Sequence, residues 1–229
     1  MVMRRSLRAA ACLVVLAGGM AAVPAGAHPV NLSIGASTLG FGAQISTALI
    51  PGTLDLAVGF NHLSENRSGT YTNANNSIPY HATVRLQTIP VLFDYYPFSG
   101  VFRFTAGAMI NENRVTAYSY DPTGTYVING DSYPGAEVGS FSGKVTYRRF
   151  APYFGIGWGS KAARRPGFSM GLDIGVLYTG SPDVQLSASN PTNNATLASD
   201  VAAAQATANA RVSSYRFWPV IGLRLGYDF

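Results

Sequence analysis

Three residue types that a hydrolase uses stand together in one short segment, His62-Leu63-Ser64-Glu65. A serine nucleophile needs a histidine base and a carboxylate that orients this base. The segment has the pattern of a strand end, where successive side chains point to opposite faces. His62 and Ser64 would then share one face, and Glu65 would lie on the other. We therefore expect a rim histidine and no enzyme, with a lipid-modifying hydrolase as the most distant alternative.

The chain offers few other groups for catalysis or cofactor binding. His28 and His81 are the remaining histidines, and neither has the spacing of a metal ligand. The glycines are spread through the chain and form no phosphate-binding loop. The formal net charge is +5, and three of the sixteen basic residues stand in the N-terminal leader, so about +2 remains. We expect no metal, no cofactor and no nucleic-acid partner.

The N-terminal segment has the pattern of a secretory signal peptide. Three arginines precede the apolar stretch 9–22, and Ala25-Gly26-Ala27 fits the small-residue cleavage rule. We therefore predict a signal peptide over 1–27 and a mature single domain over 28–229, which contains no cysteine. No mature stretch reaches the ~18 to 20 apolar residues of a membrane helix.

The C-terminal segment from Ser213 to Phe229 alternates between apolar and polar residues. This period of two predicts a strand with one apolar face, which includes Leu225, Tyr227 and Phe229. Seven other segments follow a similar pattern, namely 31–37, 41–49, 54–61, 84–92, 102–111, 149–158 and 168–179. In 84–92 both faces carry apolar residues. There we place Val84, Leu86, Pro90 and Leu92 outward, with a bulge near Pro90.

Region 31–49 fits either one long strand or a hairpin that turns at 38–40. An even strand number favours the hairpin, and the fold class is then an all-β, eight-stranded antiparallel up-and-down transmembrane β-barrel. Short turns at 50–53, 97–100 and 161–167 alternate with four outer connections. The outer turn at 38–40 is tight, and the other three, 64–78, 117–140 and 182–212, are long and polar, as is typical of outer-membrane barrels. Within the last connection the Ala-rich segment 195–212 fits a helix with Ser199 or Asp200 as its N-cap, or a flexible loop.

The alternation also predicts which charges face the barrel interior. Buried charges need partners, so we expect a lumen charge network of Asp55, Arg85, Arg103, Arg149, Asp173, Arg216, Arg224 and Asp228. It would either fill the barrel or gate a narrow, porin-like channel for small solutes. On the outward face, Lys144 and Arg148 are expected to contact lipopolysaccharide phosphates, with solvated rim charges as the alternative.

Several motifs resemble those of small outer-membrane proteins of the opacity-protein and outer-membrane-protein-A transmembrane-domain class. These are Asp94-Tyr95-Tyr96-Pro97-Phe98, the segments 152–158 and 167–176, and the C-terminal Tyr227-Asp228-Phe229 preceded by Leu223 and Leu225. The resemblance implies a Gram-negative outer membrane with periplasmic termini. It also implies recognition of Leu225, Tyr227 and Phe229 by the barrel-assembly machinery. From it we expect a structural scaffold that displays surface loops, without the soluble domain of two-domain members.

Overall fold

The computed structural model describes residues 29–73, 76–98, 100–159 and 166–229. The predicted signal peptide and most of the 161–167 turn lie outside these residues. In chain order the elements are β1 (Val30–Ser37), β2 (Gly40–Ile50), β3 (Leu54–Asn73), β4 (Asn76–Tyr95), β5 (Phe102–Asn111), β6 (Arg114–Tyr120), β7 (Thr125–Ile128), β8 (Asp131–Pro134), α1 (Gly135–Val138), β9 (Ser140–Thr146), β10 (Phe150–Gly159), β11 (Gly167–Tyr178), β12 (Asp183–Ala188), α2 (Ala195–Val212) and β13 (Phe217–Asp228).

Eight of these strands form a closed antiparallel barrel. Its order is β4-β3-β2-β1-β13-β11-β10-β5, and pairing of β4 with β5 completes the ring. The predicted eight-stranded up-and-down barrel is therefore confirmed, and so is the hairpin of β1 and β2. We call the end of the barrel with the turns at 50–53 and 97–100 the turn end, and the opposite end the loop end.

Period-two alternation separates the two faces of the barrel wall. Large apolar side chains point outward and stay exposed, and Phe168 is the extreme case at 93%. Small residues and a few large ones share the inner face. A Cβ on Gly155 would stand 2.6 Å from the Tyr153 hydroxyl, so glycine at this position makes room for an inward tyrosine.

Strand β4 corrects one prediction. Leu86, Pro90 and Leu92 face the interior, whereas we expected them outside; Leu92 is 6% exposed and its neighbour Val91 is 41% exposed. The β4–β5 pairing runs without a break from Thr88 to Tyr95, so it contains no bulge at Pro90. Because both faces of 84–92 are apolar, hydrophobicity alone could not tell them apart.

Strands β3 and β4 continue past the loop end of the barrel and begin a second sheet. The outer half of β4 pairs with β6, β6 pairs with β9, and β9 pairs with β12. We call the part made by the outer half of β4, β6, β9 and β12 the outer sheet. Each of the three segments that we expected to be polar connections thus contains strand, and the third also contains the helix α2.

A second apolar cluster lies on one side of the outer sheet. It contains Tyr126, Ile128, Tyr133, Val138, Leu197 and Val201 from β7, β8, α1 and α2. We call this assembly, together with the outer sheet, the cap. It has its own core, separate from the cluster inside the barrel.

Helix α2 spans Ala195–Val212, which confirms the helical alternative for the Ala-rich segment. Its N-cap is Asn194, whose side chain accepts hydrogen bonds from the backbone N–H groups of Thr196 and Leu197; it is not Ser199 or Asp200. The side chains of Asn209 and Gln205 bond the backbone of the edge strand β12. The helix therefore covers an edge that would otherwise expose unpaired backbone groups.

Among the described residues, no helix is long and apolar enough to cross a membrane.

Candidate functional site in the barrel and its cap

A network of charged side chains fills the turn-end half of the barrel interior. Arg103, 3% exposed, lies between two carboxylates. It forms an ion pair with Asp173, and its Nε is 3.5 Å from Asp94 Oδ1. Arg224 Nη2 is 2.6 Å from Asp173 Oδ2. Asp173 therefore joins two arginines that come from different strands.

Neutral polar groups extend this network around the ring of strands. Thr105 donates a hydrogen bond of 2.5 Å to Asp94, and Arg224 donates to the side chain of Gln44. Asn31 donates to both Ser169 and Asp228, each at 2.8 Å. These contacts link β1, β2, β4, β5, β11 and β13 across the lumen, so the network ties the wall together.

An apolar plug fills the loop-end half of the same interior. Leu39 in the β1–β2 turn and Leu177 near the end of β11 are almost fully buried. The plug consists of Leu39, Ala57, Leu92, Met109, Ala151, Tyr153, Leu177 and Val220, with Trp218 packed against them. The part of the barrel above the charges is therefore filled mainly by apolar side chains.

The free space inside the barrel is small. One cavity of about 70 Å³ and a second of about 30 Å³ are both lined by Ser33, Gln44 and Arg224. Since one water molecule occupies roughly 30 Å³ of liquid volume, these cavities hold only a few waters. An eight-stranded barrel is just wide enough for side chains to fill it, and this interior is filled.

Five residues of the predicted lumen network lie in the barrel interior, namely Asp55, Arg103, Asp173, Arg224 and Asp228. The sequence reasoning missed Asp94, because its strand was assigned to the opposite face. Correct assignment of Leu92 as inward would have placed Asp94 inward as well, two residues further on.

The structure places the other three predicted lumen residues outside the barrel interior. Arg85 lies in the outer half of β4 on the outward face and donates to Gln87. Arg149 precedes β10, and its side chain is 80% exposed beside Glu112. Arg216 precedes β13, is exposed and donates to the Ser213 carbonyl. Arg85 was misplaced because β4 was assigned to the wrong face. For Arg149 and Arg216 the alternation was extended beyond the strand ends, where it no longer applies.

The histidines show no assembled hydrolase site in the described residues. His62 is exposed and stacks on Phe60 with ring centroids 6.2 Å apart. His81 contacts the Ser68 hydroxyl at 2.8 Å through Nδ1, in an exposed position. The same part of the chain contains no cluster of three or more His, Cys, Asp or Glu placed to hold a metal.

The cap contains one buried polar centre. Asp200 accepts hydrogen bonds from Tyr133 at 2.5 Å and from Asn129 at 3.2 Å. The hydrogen bond from Tyr133 is the main cause that lowers the pKa of Asp200. The same hydrogen bond is the main cause that raises the pKa of Tyr133 to about 12. This pair fastens helix α2 to the β7–β8 hairpin.

A groove of about 340 Å³ opens on the cap surface. Two half-exposed tyrosines, Tyr118 and Tyr120, form one wall, and Pro122 and Pro191 lie nearby. Its other lining residues are Gly135, Ala136, Gly139, Ser140 and Ser189. A volume near 300 Å³ lies at the lower limit of small-ligand sites, so the groove is a candidate site outside the barrel.

The remaining predicted residues lie at the surface. Lys144 and Arg148 are both exposed. Leu225 and Phe229 are exposed on the outward face of the last strand and its terminus, and the Tyr227 ring contacts the Phe229 ring at a centroid distance of 5.0 Å. Trp158, near the turn end of β10, is 39% exposed and contacts Phe102.

Two solved structures of bacterial proteins resemble this chain. Acinetobacter baumannii CarO2 matches with a TM-score of 0.57 and 20% identity, over 88% of this chain and 99% of that chain. Acinetobacter baumannii CarO matches with a TM-score of 0.54 and 20% identity, over 88% and 98%. No family model and no curated protein matches the sequence. At this level of identity the likeness concerns architecture, and the chain shares its barrel fold with Acinetobacter baumannii CarO2 and CarO.

Proposed function

We propose that this chain is an integral barrel of a Gram-negative outer membrane and that it acts as a non-enzymatic scaffold for surface interaction. The belt of exposed aromatic and aliphatic side chains supports a lipid environment, because water would make such a surface costly. The turn end would face the periplasm with both termini, and the cap would face the outside. Leu225, Tyr227 and Phe229 would serve the barrel-assembly machinery.

The fold of the cap is the observation that carries the surface role. Connections that only joined strands would not need a hydrophobic core, yet residues from β7, β8, α1 and α2 build one. The barrel beneath the cap is filled by the plug and the charge network. These features favour a protein that presents a defined surface over one that conducts solutes.

The orientation can be tested by cysteine labelling in intact cells. The only cysteine of the chain is Cys12, which lies in the predicted signal peptide, so an introduced cysteine would be unique in the mature protein. Val127→Cys in the β7–β8 hairpin should react with a membrane-impermeant maleimide in intact cells. Pro51→Cys at the turn end should react only after lysis. The opposite pattern would contradict the proposed orientation.

The interaction role can be tested at the cap groove. Cells that produce the wild type are compared with cells that produce Tyr118→Ala/Tyr120→Ala, on arrays of defined glycans and extracellular proteins. Tyr71→Ala/Tyr215→Ala is a matched control, since both of its tyrosines are exposed and lie outside the groove. We expect the groove variant alone to lose binding. Equal array profiles for all three proteins would count against a surface-interaction role for the groove.

A further inference from the structure

Several cations share one face of the outer sheet. The pairing register aligns Arg85 with Arg114 and then Thr146, and aligns Thr116 with Lys144. Directly paired residues of neighbouring strands lie on the same face, and so do residues two positions apart. Arg85, Arg114 and Lys144 therefore point in the same direction.

This direction is outward. The opposite face carries a row of four aligned valines, Val84, Val115, Val145 and Val184. It also carries Phe141 and Leu186, which pack against the cap core. The cations face away from this core. Their face continues the exposed outer wall of the barrel, because Val91 and Phe93 have the same parity in β4 as Arg85.

The cations lie directly above the apolar wall. On β4 the outward positions change from Val91 and Ile89 to Gln87 and Arg85. The last outward residue of β5 is Ile110, Glu112 follows just after the strand, and Arg114 begins β6. In a barrel that spans the outer leaflet, this is the level at which the lipid headgroups begin.

The same surface has an excess of positive charge. Arg149 is linked to this surface through Glu112, whose Oε1 lies 3.8 Å from Arg149 Nη2. Glu112 also accepts a hydrogen bond from Gln87. We call Arg85, Arg114, Lys144 and Arg149 the basic face. Two carboxylates, Glu112 and Asp183, lie next to the basic face at outward-facing positions. Within the described ranges Arg149 is the one cation of the four with an ion pair. Arg85 donates to the neutral Gln87, and Arg114 and Lys144 form no ion pair, so three of the four cations have no anionic partner in the protein.

We propose that the basic face binds the phosphate groups of an anionic glycolipid, lipopolysaccharide, in the outer leaflet. Guanidinium groups suit phosphate because they donate two parallel hydrogen bonds, and Lys144 adds a point charge. Thr116 adds a hydroxyl group on the same face, next to Lys144 in the pairing register. Binding holds the outer sheet against the membrane surface. This inference rests on the proposed outer-membrane location and extends the expected Lys144 contact to three arginines.

The test measures binding of purified lipid A to the folded full-length barrel in detergent, by native mass spectrometry. Arg114→Gln/Lys144→Gln removes two of the three cations that form no ion pair. Arg67→Gln/Arg211→Gln removes the same charge from exposed positions outside the outward rows. At ~0.7 kcal/mol for each exposed charge contact, the first variant should bind about tenfold more weakly. The control should stay within about twofold of wild type by the same estimate.

Three outcomes would overturn the proposal: unchanged binding by the first variant, an equal loss in both variants, or equal wild-type binding of lipid A stripped of its phosphates. Heat-dependent gel mobility verifies that each variant is folded. If the double variant does not fold, Lys144→Gln alone should still bind about threefold more weakly, since its side chain is exposed. Cysteine labelling in cells tests the location separately, so failure of the location and failure of the lipid site are distinguishable.

Discussion

Asp173 is the carboxylate on which the interior network depends most. It pairs with Arg103 and with Arg224, whereas Asp94 pairs with Arg103 alone. Asp173→Asn keeps the size of the side chain and removes its charge, which leaves Arg224 without an ionic partner in the described structure. Loss of one member of a buried pair costs about 3 to 5 kcal/mol. We expect the free energy of unfolding to fall by an amount in this range.

The assay is urea unfolding of the folded barrel in lipid vesicles, followed by the fluorescence of Trp158 and Trp218. Asp183→Asn is the control, because this carboxylate is exposed on β12 and should change stability by less than about 0.5 kcal/mol. Adding Arg224→Gln to Asp173→Asn removes the orphaned charge and should restore part of the loss. A loss below about 1 kcal/mol for Asp173→Asn would refute the reasoning, since a buried pair would then contribute no more than a surface pair.

Three further predictions concern the interior and the cap. Gly157→Ala should destabilise the barrel by about 1 to 3 kcal/mol in the same unfolding assay, because its Cβ would stand 2.7 Å from Arg103 Cζ; unchanged stability would show that the guanidinium moves freely. Wild type and Arg224→Ala should give no resolvable current in planar bilayers, because the apolar plug stays in place in both, and a sustained open level would contradict this. The pKa of Asp200 is lowered from 3.8, so its stabilising effect is complete above pH 4 and is lost as the pH falls further. The pKa of Tyr133 is raised from 10.0 to about 12, so its effect is complete below pH 10 and is lost above pH 12. The protection factors of the cap amides, which are exchange rates corrected for the intrinsic pH dependence, should therefore be lower at pH 3 than at pH 6, and equal protection factors would argue against this pair.

The sequence predicted the barrel because lipid-facing and interior positions differ strongly in hydrophobicity. Phe168, Met170 and Ile174 alternate with Ser169, Gly171 and Asp173, and this contrast marks both the strand and its faces. The same contrast identified five of the interior charges. In β4, however, Ile89 and Val91 stand among Leu86, Pro90 and Leu92. With no polarity difference the face could not be assigned, and Asp94 was missed.

The cap could not be predicted for a different reason. Its strands are exposed to water on one face, and polar residues such as Thr83, Thr116 and Gln185 have the composition of a loop. Their pairing depends on contacts between distant segments, which one sequence does not display. Helix α2 was the exception, because a run of alanines has an intrinsic preference for helix.

Strands β3 and β4 form a ribbon that keeps one pairing register from the barrel into the cap, so the number of residues between the two parts decides which face each side chain occupies. One residue inserted between Arg85 and Thr88 would shift every cap position of β4 by one. Val84 would then turn toward the membrane side, and Arg85 would turn toward Phe141 and the cap core. Two inserted residues would lengthen the ribbon and keep both faces. Natural or engineered length changes here should therefore add or remove an even number of residues. A cap transplanted to another barrel should function only if the last residues of that barrel's strands face the same side as they do here.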